Sequence, residues 1–591
     1  MSSPHGQHPP DPTSLASGEP LIARLARWSA ERPDAPAYGF TDHARDSAGT
    51  PHTLTWAQIA RRVAVLAERL SASVADGERV AILAPQGLDY VVGMLATLHT
   101  RAIAVPLFSP DLPGHGDRLR WTLADCAPAV VLTTSETRDQ GERLLNDGPH
   151  TAVREVVAVD EVVEGADAAG APAPPDPVTD PASPAYLQYT SGSTRQPTGV
   201  VLTHGNLSAN VRQLWEAAVG RGTEADTTIT TVGWLPLFHD MGLILTVATP
   251  LLTGSRAEFM DPAAFVMSPV RWLRLLSRHE RVYSAAPNFG FEHCVKRVRE
   301  ADKPALDLSG VRGLLNGAEP IRPETMRRFV AAFEGHGLRP SALVPAYGLA
   351  EATVYVSMDT ANREPRTRVV DRDALADGVV RECPEEGERT STLVSCGAPV
   401  GQRVAIVNPE DHTEMPEGGV GEIWVCGPNV AASYWGAPER GAGVFDARPH
   451  GQERDGTWLR TGDLGTLIDG ELHVTGRAKD LIIADGRNHY PQDIEATVAA
   501  THPQFRDGRV AAFAVPGDDG ERLVVMAETG ASGPDTEQLT RLVRQEISRE
   551  HGLHLHELVL VSRGKVKRTS SGKIARSACR DAHLKGMGVA V

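Results

Sequence analysis

Between residues 20 and 132 the apolar positions switch between two periods. Residues 21–31 and 56–71 repeat them at helical spacing, whereas 79–83 (RVAIL) and 102–106 (AIAVP) are short, almost wholly apolar runs. Runs of that kind suit strands buried on both faces of a parallel sheet. A helical segment at 121–125 and a strand-like run at 129–132 continue the alternation, which predicts an α/β fold with helices covering the sheet. The rhythm returns later, with a helix at 206–219 and strands at 311–315 and 343–345. Shorter strands with turn signals at 403–407, 421–425 and 472–474 predict a smaller β-rich subdomain. From Leu481 onward the pattern is that of a compact α+β module of domain size. Two stretches break the rhythm. Residues 164–184 are rich in proline and alanine and read as a linker. Residues 359–392 hold fifteen charged residues in thirty-four and read as an inserted surface element.

The linker leads into the stretch around which the chain is organised, residues 186–207. A strand-like run, 186–189, precedes Thr190-Ser191-Gly192-Ser193-Thr194, and a β-branched run begins at Val200. Glycine lets the backbone approach an anion closely, and hydroxyls and free N–H groups donate to phosphate oxygens. The spacing is not that of a Walker loop. Alone, such a run is usually only a flexible loop. Two further turns, Asn316-Gly317-Ala318-Glu319-Pro320 and Tyr347-Gly348-Leu349-Ala350-Glu351, put glycines and a carboxylate just past a strand. That is where open α/β sheets bind ligands. His239 lies in an apolar run, where a core histidine competes with a catalytic one. TGDLG (461–465), GRAKD (476–480) and a Gly/Ser loop carrying Lys573 complete the candidate set.

Length and composition narrow the classes. At 591 residues the chain exceeds a single core, and its 41% apolar and 23% charged residues describe an ordinary globular protein. No apolar run reaches the ~18 residues of a membrane span. The start, MSSPHGQHPPDPTS, lacks signal-peptide features, so residues 1–19 read as a disordered leader. Six scattered cysteines without paired spacing suit a reduced, cytoplasmic protein with no structural metal. A net charge of −16 argues against nucleic-acid binding. The tail beyond Ser562 differs, with eight Lys/Arg against one acid; it reads as a solvated face or a docking site for an acidic partner.

In order along the chain, YTSGST, LPLFHDMGL, NGAEP, YGLAE, TGDLG with GRAKD, and SSGK resemble the adenylate-forming superfamily of acyl-CoA synthetases, peptide-synthetase adenylation domains and luciferases. The resemblance spans about residues 20–580. LPLFHDMGLI, YGLAEATVYVS, VSCGAPV and GRNHYPQDIE are most similar to the fatty-acyl-AMP ligase branch, and 359–392 falls where those ligases carry an extra segment. In that family the segment is held to hinder the movement needed for CoA thioester formation.

The resemblance implies a large N-terminal adenylate-forming domain, residues 20–478, of two βαβ-layered subdomains plus the small β-rich one. A small mobile C-terminal lid, 479–591, would pivot at Lys479. It implies ATP and Mg²⁺, a fatty acid substrate and a phosphopantetheinylated acyl carrier protein. Thr190 to Thr194 would cradle the β- and γ-phosphates, and Glu351 would ligate Mg²⁺. Tyr347 and Gly348 would meet the adenine, beside Asn316, Gly317, Ala318 and Glu319. Asp463 would take the ribose hydroxyls, with Arg477 assisting. Lys573 would bridge the attacking carboxylate and the α-phosphate, and His239 would gate the acyl pocket. One departure stands out: where the family loop often has lysine before its last glycine, this chain has Thr198. The alternatives are an acyl-CoA synthetase and, more remotely, a non-catalytic nucleotide- or acyl-binding protein.

Overall fold

The computed structural model describes residues 20–112, 115–146, 152–166, 180–190, 197–220, 227–451, 456–484, 487–506, 509–517, 520–530, 536–569 and 573–586. The expected leader, most of the linker, and Ser191, Gly192, Ser193 and Thr194 lie outside them.

The short apolar runs form the middle of two large sheets. One sheet is seven-stranded, with order Ser433–Tyr434, Gly199–Thr203, Pro184–Tyr189, Ile103–Pro106, Arg79–Ile82, Val130–Thr133, Glu155–Ala158. From Pro184–Tyr189 to Glu155–Ala158 the neighbours run parallel. Gly199–Thr203 pairs antiparallel with Pro184–Tyr189 as a hairpin, Tyr189 opposite Gly199. That hairpin runs straight into helix His204–Val219, whose start is closed by a reciprocal cap between Thr203 and Asn206. The Asn206 amide also donates to the Pro428 and Val430 carbonyls at 2.8 and 2.9 Å, tying the helix to the segment before Tyr434.

The eight-stranded sheet has order Ser357–Met358, Leu343–Tyr347, Val311–Asn316, Val282–Ala286, Thr230–Gly233, Arg256–Met260, Pro36–Asp42, Thr50–Thr55. Its neighbours from Leu343–Tyr347 to Pro36–Asp42 run parallel, so Asn316 and Tyr347 end on the same edge. One continuous apolar core, including Trp56, Trp272 and Phe259, joins the two sheets. A four-stranded antiparallel sheet carries Leu459–Ile468 beside Glu471–Arg477, with Asp463 in register with Arg477.

The C-terminal module has its own three-stranded sheet, Val510–Gly517, Gly520–Thr529 and Leu555–Ser562. Separate apolar clusters cover it, one around Ile494, Val543 and Leu555 and the other around Phe513, Val559 and Cys579. The inserted segment departs from the expected surface element. Strands Thr367–Asp371 and Thr390–Val394 pair antiparallel around helix Arg372–Ala376. Val370, Leu375 and Leu393 then bury themselves with Tyr490 of the C-terminal module. Arg372 donates to the Glu550 carbonyl at 2.7 Å, Arg487 to Asp377 at 2.8 Å and Arg549 to Glu388 at 2.6 Å. The charge count concealed an apolar face. Among the described residues no helix is long and apolar enough to cross a membrane.

Candidate active site

A cavity of about 1980 Å³ opens between the strand ends and the C-terminal module. Its first corner is built by the YGLAE turn. A Cβ on Gly348 would lie 1.6 Å from the Val354 carbonyl oxygen, so only glycine fits there. After the short turn Ala350–Ala352 the chain passes through Thr353 at φ 69°, ψ −63°. The Val354 N–H donates to the Ala352 carbonyl at 2.9 Å, closing a three-residue turn of the strained hand. The Thr353 hydroxyl holds it by donating to the Asn429 carbonyl at 2.8 Å. This backbone aims Glu351 into the cavity, where it accepts from the Tyr434 hydroxyl at 3.1 Å. Burial raises the pKa of Glu351, and the Tyr434 hydrogen bond and Arg477 oppose the rise.

Beside it, Asp463 is held from two sides. Tyr347 Oη donates to Oδ2 at 2.8 Å, and Arg477 Nε lies 2.8 Å from Oδ1. Asp463 in turn pushes the Arg477 pKa up. A carboxylate has about four lone-pair sites, so Asp463 keeps capacity for two more donors. Gly317, Ala318 and Glu319 line the same wall. Ala318 sits at φ 67°, the left-handed region. Glu319 accepts the Phe289 N–H at 2.6 Å; burial raises its pKa, and that bond and Lys573 oppose. Asn316 differs from expectation: it is fully buried beneath this wall and does not line the cavity.

A second group of charges gathers from several elements. Lys573 enters from the C-terminal module, its backbone N–H donating to the Thr569 hydroxyl at 3.2 Å. Burial lowers its pKa, as does Arg477, while Asp240, Asp463 and Glu319 raise it. His239 Nδ1 lies 2.6 Å from Asp240 Oδ1, which also accepts the Met241 N–H at 2.7 Å. Burial works to raise the Asp240 pKa, but His239, the Met241 N–H and Lys573 hold it below the usual range. Asp240 is thus engaged by cations and N–H groups of the chain itself. Leu214, Met241, Leu245, Val354 and Tyr355 give the cavity an apolar lining, Met241 being two residues from His239.

Lys479 lies in the turn Ala478–Asp480 on the cavity wall. Arg576 anchors that turn to the C-terminal module, reaching Asp480 at 3.1 Å and Glu495 at 2.7 Å. The basic tail is therefore not uniformly solvated, because Lys573 and Arg576 turn inward. Of the hydroxyl stretch, Thr190 is described: it lines the cavity, its N–H donating to the Thr198 carbonyl at 3.1 Å. Sequence reasoning missed Asp240, Tyr434 and Arg118. Asp240 was legible as the neighbour of His239; Tyr434 had no signal, lying 83 residues from Glu351.

Two sheets whose parallel strands end on one cavity, roofed by a small module that contributes a lysine, define an adenylate-forming enzyme. Residues 25–435 match the AMP-binding enzyme family, and the chain belongs to it. Within that family it stands with the fatty-acyl-AMP ligases. It is 42% identical to the long-chain-fatty-acid–AMP ligase FadD32 of Mycolicibacterium smegmatis, over 96% of this chain and 95% of the relative. It is equally, 42%, identical to a 4-hydroxyphenylalkanoate adenylyltransferase of Mycobacterium marinum, over 96% of this chain and 92% of that one. Residues 479–588 match the Disco-interacting protein 2-like AMP domain. A solved structure from work on fatty acyl-adenylate ligases of E. coli and L. pneumophila superposes with a TM-score of 0.82 at 32% identity, covering 97% of this chain and 98% of that one.

Proposed function

We propose that the protein joins a fatty acid to the AMP moiety of ATP and passes the acyl group to the phosphopantetheine thiol of a carrier protein. A carboxylate oxygen bonds to the α-phosphorus as the bond to the β-bridging oxygen breaks, and pyrophosphate leaves with the electron pair. In the second step the thiol sulfur, its proton lost, bonds to the acyl carbon, and AMP departs. The observation that carries the reading is the meeting of Lys573, His239–Asp240, Glu351 and Asp463 around one cavity with an apolar lining. Two anions must approach each other in the first step, so aligned cations are the main catalytic requirement.

Lys573 stabilises the charge that develops between carboxylate and α-phosphate, and His239 gates the acyl pocket. Asp463 and Arg477 hold the ribose, Tyr347 the adenine. Among the described residues no group of three or more His, Cys, Asp or Glu is gathered for a metal. Mg²⁺ suits Glu351 all the same, because that ion takes one or two carboxylates and completes its shell with phosphate oxygens. It would neutralise phosphate charge there. The engaged Asp240 carboxylate speaks for an acid without an α-amine. The docked 359–392 segment speaks for a carrier rather than CoA, because it ties the lid in one place. A reduced cytoplasmic setting goes with six free cysteines.

The test is product mass spectrometry with ATP, Mg²⁺ and a panel of fatty and 4-hydroxyphenylalkanoic acids, divided between CoA and a phosphopantetheinylated carrier. Acyl-AMP in every tube with thioester on the carrier alone is expected. Abundant acyl-CoA would make this a CoA synthetase, and no adenylate with any acid would overturn the enzymatic reading.

A further inference from the structure

One face of helix Gly116–Cys126 lies along the end of strand Pro184–Tyr189, where the hydroxyl stretch begins. Asp125 accepts the Tyr189 hydroxyl at 2.5 Å. Trp121 meets the Tyr189 ring edge-on, with centroids 6.5 Å apart. One turn earlier, Arg118 Nη2 donates to the Thr190 carbonyl at 3.3 Å. Positions 118, 121 and 125 share a helix face, so two turns of contact set where Arg118 stands. It stands on the cavity wall with Thr190 and His239. Its neighbour His115 packs on Phe108, which also meets Phe238 beside His239. The guanidinium therefore stands on the cavity wall against the first residue of the hydroxyl stretch.

That position matters because of Thr198. A hydroxyl there cannot neutralise a phosphate as a lysine would. A guanidinium, always charged and able to hold two phosphate oxygens at once, can do so from another element. We propose that Arg118 is a pyrophosphate-binding residue that supplies the cation Thr198 lacks. This rests on the adenylation reading above. As the α-phosphorus bond to the bridging oxygen breaks, the electron pair stays on pyrophosphate, and Arg118 acts on that growing charge.

The full-length protein would be assayed as R118Q, which keeps a donor for the Thr190 carbonyl but removes the charge, and as R118K and R118Q/T198K. Three quantities are read: KM for ATP in acyl-AMP formation, KM for pyrophosphate in the reverse reaction, and Kd for an acyl-sulfamoyl-adenosine, which mimics acyl-AMP without the outer phosphates. R118Q should raise both KM values about 10- to 100-fold, the scale of losing one charged hydrogen-bond partner, with the mimic bound as before. R118K and R118Q/T198K should each recover part of the loss. An unchanged pyrophosphate KM would overturn the assignment, as would equal weakening of the mimic, which would make Arg118 a support for the helix. If the parent protein forms no acyl-AMP with any acid, the adenylation reading falls. If the parent is active and R118Q matches it, only the role of Arg118 falls.

Discussion

At the end of the cavity assigned to the nucleoside, Tyr347, Asp463 and Arg477 hold one another through contacts of 2.8 Å, all from residues before the lid. At the end assigned to the acyl group, Lys573 comes from the lid, and His239 and Asp240 from the start of the short helix Asp240–Leu243. The first corner is a closed network, so it binds with little reorganisation. The second holds Lys573 only while the lid stands where the 359–392 segment docks it. Nucleotide binding should therefore survive damage at the acyl end, whereas chemistry should not.

The sharpest break is Lys573→Ala. Adenylation should fall about 10²–10³-fold, the cost of one preorganised donor to developing charge, while affinity for AMP shifts only slightly. Rates of acyl-AMP formation set against AMP titrations check this. Parallel losses in both would erase the contrast between the corners. Asp463→Asn should do the opposite, raising KM for ATP about 10- to 100-fold because charge-assisted hydrogen bonds are worth roughly 1.5–3 kcal/mol each.

Asp240→Asn sharpens the electrostatic side. Asp240 opposes the lowering of the Lys573 pKa by burial and Arg477, so its loss lowers that pKa further. A lysine is lost as a cation when pH rises through its pKa. The alkaline limb of the kcat profile should move to lower pH, and a profile unchanged from the parent would sink the coupling. The smallest effect is expected from Tyr434→Phe. It removes a hydrogen bond that favours ionised Glu351, raising that carboxyl's pKa further above its ordinary value. The acid limb should move up in pH, and the Mg²⁺ concentration needed for half-maximal rate should rise about fivefold, the scale of ~1 kcal/mol.

Much of this was legible. The helix read at 56–71 and the strands read at 79–83, 311–315 and 403–407 stand within a residue or so of their observed bounds. Short, wholly apolar runs leave few other ways to be buried. The hairpin Pro36–Asp42 with Thr50–Thr55 escaped, because its polar outer strand carries almost no periodic signal. The segment 359–392 was read by charge alone, yet its Val370 and Leu375 are buried with Tyr490, nearly a hundred positions beyond its end. Asn316 sat in a recognisable motif, but strand alternation turns Leu315 to the cavity and buries Asn316 on the other side.

The sequence by itself determined the α/β class, the order of the motifs and the chemistry those residue types can perform, because strand and helix periods and glycine requirements are local. A glycine at 348, for example, is demanded by a backbone contact six residues away. Which polar group faces which was decided only by the tertiary structure. The partners Glu351 and Tyr434, Tyr347 and Asp463, Arg118 and Thr190, and Arg372 and Glu550 are 83, 116, 72 and 178 residues apart. Such pairings follow from how two sheets and a lid close on one cavity, and no local pattern encodes a distance through space.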